Sequence, residues 1–188
     1  MQQTIYLFRH GEVHSKKNVL CGWLNLPLSV QGVKQAKELS KKLKKEDIGI
    51  GFCSDLLRGQ QVLAIVLKHH PKAKVIIDHR LRERHYGAIS GQLESVFADT
   101  SIMENGNNGK IVEKIPGLES MSVVRNRVFP FMTQVLHFMQ KEKVNVAISA
   151  HKNSLELIQE YLEGLTPDQA KKLEHYPTNY KKYVITFD

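Results

Sequence analysis

Ile5-Tyr6-Leu7-Phe8-Arg9-His10-Gly11-Glu12 passes without a break from four apolar side chains to two potential cations, a glycine and an acid. An unbroken apolar run of this length suits a strand covered on both faces, ending where the charges begin. Two further stretches repeat the pattern: Ile48 to Cys53 runs into Ser54-Asp55-Leu56-Leu57-Arg58, and Val144 to Ser149 runs into Ala150-His151. Helical periodicity fills the intervals. Ser29 caps a predicted helix from about Val30 to Lys45, with Val33, Ala36, Leu39 and Leu43 on one face and Lys34, Lys37, Lys41, Lys42, Lys44 and Lys45 on the other. Leu56 to Leu67 is a second helix, ended by His70-Pro71. Lys74 to Ile77 is a third strand. A long helix from about Ser120 to Glu142, kinked at Pro130, a helix from Asn153 to Glu163 and a closing strand from Tyr183 to Phe187 complete the series. The alternation predicts an α/β fold, a mainly parallel central sheet with helices on both faces, in three layers. Ligands bind beyond the carboxyl ends of such strands, which places the site at Arg9-His10-Gly11, Ser54 to Arg58 and Ala150-His151.

The 188 residues fit one domain spanning 1–188, with an irregular insertion over about 92–118 where Asn105-Gly106-Asn107-Asn108-Gly109 suits neither helix nor strand. A chain of this size buries roughly 70% of its unfolded surface and needs neither disulfides nor metal to fold. Cys21 and Cys53 are accordingly expected as reduced thiols. With 41% hydrophobic and 24% charged residues, collagen-like, low-complexity and disordered classes are excluded. No apolar run approaches the ~18 residues of a membrane span, and Met1-Gln2-Gln3-Thr4 lacks a targeting pattern, so the expected location is cytoplasmic, with no membrane partner.

Twenty-seven basic against 19 acidic residues give a net charge of +8, which favours an anionic partner. The lysine stripe of the first helix opposes an apolar stripe and has no interleaved aromatics, as expected of a solvated face rather than a nucleic-acid surface. His14, His69, His70, His79, His137 and His175 show no metal-binding spacing and are expected at the surface, so no metal is predicted. The expected partner is a small phosphorylated metabolite. Two arginines and two histidines converging from strand ends suit a tetrahedral dianion, because guanidinium forks grip phosphate oxygens and imidazole can donate to an oxygen or attack phosphorus.

Five motifs in order resemble the histidine phosphatase superfamily, the phosphoglycerate mutase-like family. They are Leu7-Phe8-Arg9-His10-Gly11-Glu12, Gly22-Trp23 with Leu28-Ser29-Val30-Gln31-Gly32, Ser54-Asp55-Leu56-Leu57-Arg58-Gly59-Gln60-Gln61, Leu81-Arg82-Glu83-Arg84-His85-Tyr86-Gly87, and His151-Lys152-Asn153-Ser154-Leu155. The resemblance implies a phosphoglycerate mutase-like fold and a phosphohistidine mechanism without metal. It implies that His10 is the nucleophile, that Arg9, Arg58 and His151 hold the phosphoryl oxygens, and that Glu83 is the general acid. It also implies a monomer or homodimer.

The chain departs from the family pattern at several points. The asparagine that helps hold phosphate in the family has no direct counterpart after the RHG motif; Asn18 or Lys16 is the expected substitute. Cys21 stands where threonine precedes Gly22-Trp23, with its backbone still able to serve. Lys152 replaces a glycine, which implies either an ammonium aimed at the cavity or a solvated side chain, with strain if that backbone needs positive φ. Tyr86 is expected at the substrate edge, and Trp23 at the pocket mouth or in packing. The Glu83 to Gly87 run and Asn153 favour a phosphoglycerate mutase primed by 2,3-bisphosphoglycerate. Glu94, where mutases carry lysine, and the lack of an arginine pair oppose that reading, unless Lys110, Lys114, Arg125 or Arg127 substitutes. A phosphomonoester phosphatase with no cofactor is slightly favoured over the mutase, and a non-catalytic anion-binding module is the remote third reading.

Overall fold

A computed structural model describes residues 1–95 and 115–187. Five strands, β1 (Gln2–Arg9), β2 (Ile50–Cys53), β3 (Lys74–Ile77), β4 (Val146–Ala150) and β5 (Tyr180–Thr186), form one sheet in the order β3-β2-β4-β1-β5. Every pairing is parallel except that of β5 with β1. The helices are α1 (Val30–Leu43), α2 (Leu57–Leu67), α3 (Met121–Glu142), α4 (Lys152–Glu163) and a short α5 (Pro167–Ala170). The sequence-predicted boundaries shift by a few residues at each end, and α5 is an addition to them. Two fixed points of the sequence reading are local side-chain caps: the Ser29 and Ser120 hydroxyls accept from the Gly32 and Val123 amides at the starts of α1 and α3. α3 runs through Pro130 as one element.

The apolar run of β1 alternates between two cores. Ile5 and Leu7 pack with Phe131, Met132 and Val135 of α3 and with Leu155 and Ile158 of α4, whereas Tyr6 and Phe8 pack with Ala36 and Leu39 of α1 and Val62 and Leu63 of α2. Period-two geometry sends successive side chains to opposite faces, so a strand sandwiched by helices must be apolar at every position. Register then carries the chemistry. Arg9 lies beside Ala150, and Cys53 beside Ser149, so the three strands stop at one level and their next residues emerge together.

The insertion expected over about 92–118 lies mostly outside the described residues, as do Lys110 and Lys114. Its described flanks are paired: Leu93 bridges Val19, and Leu118 bridges Tyr86. Among the described residues no helix is long and apolar enough to cross a membrane.

Candidate active site

His10 leaves β1 with its ring 9% exposed. Its Nδ1–H donates to the Gly11 carbonyl at 2.7 Å, which leaves the lone pair on Nε2, and the Arg58 Nε–H points at that Nε2 from 3.2 Å. The chain can turn this sharply because glycines meet at the junction: a side chain on Gly11 would come within 2.8 Å of the Gly32 carbonyl oxygen. Burial, then the charges of Arg58 and Arg9, hold the His10 pKa well below the ordinary imidazole value, so the ring is neutral at neutral pH.

Arg58, in the first turn of α2, is 1% exposed and makes no ion pair among the described residues, although the charge of Glu83 acts on it. Its other donors reach the Leu24 carbonyl at 2.7 Å and the Gly22 carbonyl at 2.6 Å. Gly22 can present that carbonyl because its φ of +44° is one that glycine tolerates.

His151 caps the start of α4 at zero exposure, its ring centroid 5.0 Å from that of His10. The Ser54 hydroxyl accepts from the Leu56 amide and bonds His151 Nε2 at 2.7 Å. With the hydroxyl donating, the ring proton sits on Nδ1. That Nδ1 is buried without a partner, as is the Arg9 Nε. Burial, followed by the charges of His10, Arg58 and Arg9, lowers the His151 pKa strongly as well. Buried polar atoms ordinarily find partners, so unmet donors beside a buried guanidinium that has no ion pair describe a floor complementary to an anion.

Glu83 arrives on the loop after a 3-10 turn at His79–Leu81 and is 7% exposed. Its Oε1 accepts from the Arg84 amide at 2.9 Å, the Asn153 amide at 3.0 Å and the Asn153 Nδ2 at 2.9 Å, while Oε2 has no partner among the described residues. The loop is clamped from behind. Arg127 of α3 donates to the carbonyls of Arg80, Arg82 and Glu83 and pairs with Glu119 at 3.0 Å, and the Trp23 indole N–H reaches the Glu83 carbonyl at 2.6 Å.

These groups border a cavity of about 540 Å³. Arg9, His10, Asn18, Cys21, Gly22, Arg58, Glu83, Tyr86 and Lys152 line it, together with Lys16, Lys17 and Glu94. His151 lies beneath it. Asn153 binds Glu83 and the Tyr86 hydroxyl instead of lining the cavity. Asn18 adopts φ +57°, a left-handed conformation that asparagine accepts, and its carbonyl takes the Glu94 amide at 2.7 Å.

Several expectations need correcting. Lys152 is the first residue of α4 and carries no positive φ, so the glycine of the family pattern is not required there and no strain arises. Of the two places expected for Trp23 the structure gives packing, against His85 and under the Arg82 guanidinium, and not the cavity lining. Arg125 is paired with Glu160 and Arg127 with Glu119, so neither is a free cation for substrate. His70 is buried, and His175 is half-buried, with its Nε2 unpartnered and its pKa lowered to about 4 by removal from water. Sequence reasoning missed Ser54 and Glu119 as supports and the clamping role of Arg127. Ser54 stood inside a quoted motif, but Arg127 and Glu119 carry no local signal.

A sequence profile described as "Histidine phosphatase superfamily (branch 1)" matches residues 5–188. A 2,3-bisphosphoglycerate-dependent phosphoglycerate mutase of Protochlamydia amoebophila is 29% identical, over 90% of this chain and 89% of that protein. A phosphoglycerate mutase of Schizosaccharomyces pombe is 35% identical, over 90% and 84% respectively. A mycobacterial glucosyl-3-phosphoglycerate phosphatase superposes with a TM-score of 0.78 at 20% identity, over 98% of this chain and 91% of that one, a likeness that carries the fold alone.

Proposed function

Because the chain belongs to the histidine phosphatase superfamily, whose members are phosphatases or phosphoglycerate mutases, we propose that it is a metal-independent phosphatase of small phosphomonoesters working through a phosphohistidine on His10. The observation that carries the phosphohistidine is the tautomer: Nδ1–H bound to a carbonyl, Nε2 bearing the lone pair, and burial keeping the ring unprotonated. In this reading Nε2 attacks phosphorus while the leaving oxygen takes a proton from Glu83. Arg9, Arg58 and His151 Nδ1–H hold the equatorial oxygens, where charge spreads in the transition state. Water then attacks the phosphohistidine, its proton returns to Glu83, and phosphate and neutral His10 are restored. Asn18, with Lys152 and the backbone at Cys21 and Gly22, would contact the rest of the substrate, with Tyr86 at its edge.

The preference for hydrolysis rests on the cavity mouth. Glu94 borders it, and Arg125 and Arg127 are committed to Glu160 and Glu119. A mutase must retain a doubly phosphorylated intermediate while it turns over, which calls for cations where this chain offers an acid. The second reading, a mutase primed by 2,3-bisphosphoglycerate, is supported by Lys16, Lys17 and Lys152 at the same mouth and by the mutase names of the relatives. Incubation with 3-phosphoglycerate and 2,3-bisphosphoglycerate separates them. Free phosphate in excess of 2-phosphoglycerate is expected; 2-phosphoglycerate formed many times faster than phosphate would make the chain a mutase.

A further inference from the structure

Glu156 lies one turn beyond Lys152 on α4, 4% exposed, with no hydrogen bond or ion pair among the described residues. A buried carboxyl with no partner is costly to ionise. The charged groups that act on it come from its own helix and from three other parts of the fold: Lys152 on α4, Glu83 and Arg84 on the loop, Arg9 on β1 and Lys171 at the end of α5. Arg9 and Lys152 both line the cavity, and the Arg9 Nε is itself unpartnered. Removal from water is the largest influence on the Glu156 acidity. Lys152 opposes it, Glu83 adds to it, Arg9 and Lys171 oppose it, and the balance raises the pKa to about 7.

We propose that Glu156 is a positioning residue that ties the anion affinity of the cavity to pH through Arg9 and Lys152. As a carboxylate it competes with the incoming dianion for those two cations; as a neutral acid it leaves both to the ligand. The proposal rests on the reading that the cavity floor takes a tetrahedral dianion. Linkage requires the converse: a dianion entering beside Glu156 favours its protonated form, so binding near neutrality takes up a proton. In the free protein His10 and His151 are neutral across this range, and burial pushes the Tyr86 phenol well above it. Because His10, His151 and Glu83 border the same anion, Glu156→Gln is what separates uptake at Glu156 from uptake at those groups.

Sulfate is the probe, because it is tetrahedral and remains a dianion throughout. Its inhibition constant against p-nitrophenyl phosphate hydrolysis is measured from about pH 6 to about pH 8.5 for wild type, Glu156→Gln and Glu156→Asp, all inside the titration window under test. Wild-type affinity should fall roughly five- to tenfold across that range. Glu156→Gln should hold its low-pH affinity throughout, and Glu156→Asp, which keeps a titrating carboxyl, should restore the fall. Calorimetry of sulfate binding in buffers of different ionisation enthalpy should show net proton uptake near pH 7 in the wild type and less in Glu156→Gln; its absence in the wild type counts against the proposal whether or not a variant folds. Parallel profiles for wild type and Glu156→Gln, or binding without proton uptake, would overturn the proposal. Failure of sulfate to bind at any pH would instead strike at the phosphoryl site.

Discussion

The floor of the cavity and its mouth are built on different principles. On the floor, His10, Arg58 and His151 are between 0 and 9% exposed. His10 and His151 directly follow β1 and β4, Arg58 lies in the first turn of the helix after β2, and the register of those strands admits no alternative without turning every core side chain of a strand to the wrong face. At the mouth, Asn18, Lys16, Lys17, Lys152 and Glu94 are exposed side chains on loops and a helix end. In the proposed mechanism the floor fixes which reaction is possible, and the mouth decides which molecule enters and whether its phosphoryl group is returned or lost to water. Such a division lets one fold serve phosphatases and mutases, because substitutions at the mouth cost little stability.

The largest expected effect is on the floor. Replacing His10 by alanine should lower kcat by at least roughly a thousandfold, since in the proposed mechanism its role as nucleophile has no substitute. Turnover within tenfold of wild type would remove the floor from its central place. Glu83→Gln comes next, with a loss of roughly 10²- to 10⁴-fold for alkyl phosphates and much less for p-nitrophenyl phosphate, whose phenolate leaves unaided. Equal losses on both substrates would argue that Glu83 only shapes the cavity.

Arg127→Ala tests the scaffold behind the floor. It strips partners from Glu119 and three carbonyls, so unfolding should cost about 3 kcal/mol less by denaturant titration, with a lower kcat. Unchanged stability would mean the Glu83 loop holds itself.

The buried imidazoles predict a further trend. His10 and His151 have folded pKa values below that of the unfolded chain, so the unfolded state binds the extra protons as pH drops below about 6.5, and stability falls. Glu156 acts with opposite sign, its raised pKa costing stability as pH rises from about 4.5 toward its folded value. His175, its pKa lowered to about 4 by removal from water, and His70, also lowered, act with the same sign as His10 and His151. The imidazoles therefore outweigh Glu156, and the unfolding free energy should decline by about 2 kcal/mol per unit between about pH 6.5 and about pH 5. A denaturation midpoint rising over that interval would contradict the neutral buried rings.

The smallest effect belongs to the mouth. Glu94→Lys should shift the ratio of 2-phosphoglycerate to free phosphate upward by about fivefold, the worth of roughly 1 kcal/mol for one reversed charge, and leave the stability unchanged. No shift would place the choice of reaction elsewhere.

The same contrast explains what could be read from the amino-acid order. The three-layer fold, the strand ends and the convergence of Arg9, His10, Arg58 and His151 follow from uninterrupted apolar runs, each ending in a charged junction, which are local features. Glu83 came from a motif rather than from periodicity. The supports did not come at all: Arg127 reaches its carbonyls across 44 to 47 residues of sequence, and it looked like a spare cation until its partners were placed. Glu156 drew no notice in the sequence, because nothing in its neighbours along the chain foretells a carboxyl only 4% exposed within the influence of Arg9 and Glu83. Lys152 seemed to threaten strain only because the family pattern has glycine, and its helical backbone removes the threat.

The direct test is to mix the enzyme with radiolabelled phosphomonoester, quench within a turnover, and map the protein-bound label. An acid-labile, alkali-stable phosphoryl group on the peptide that carries His10, missing from His10→Ala, is the expected result. Label on a different residue of the folded wild-type protein, or hydrolysis with inversion at phosphorus and no covalent species, would contradict the account.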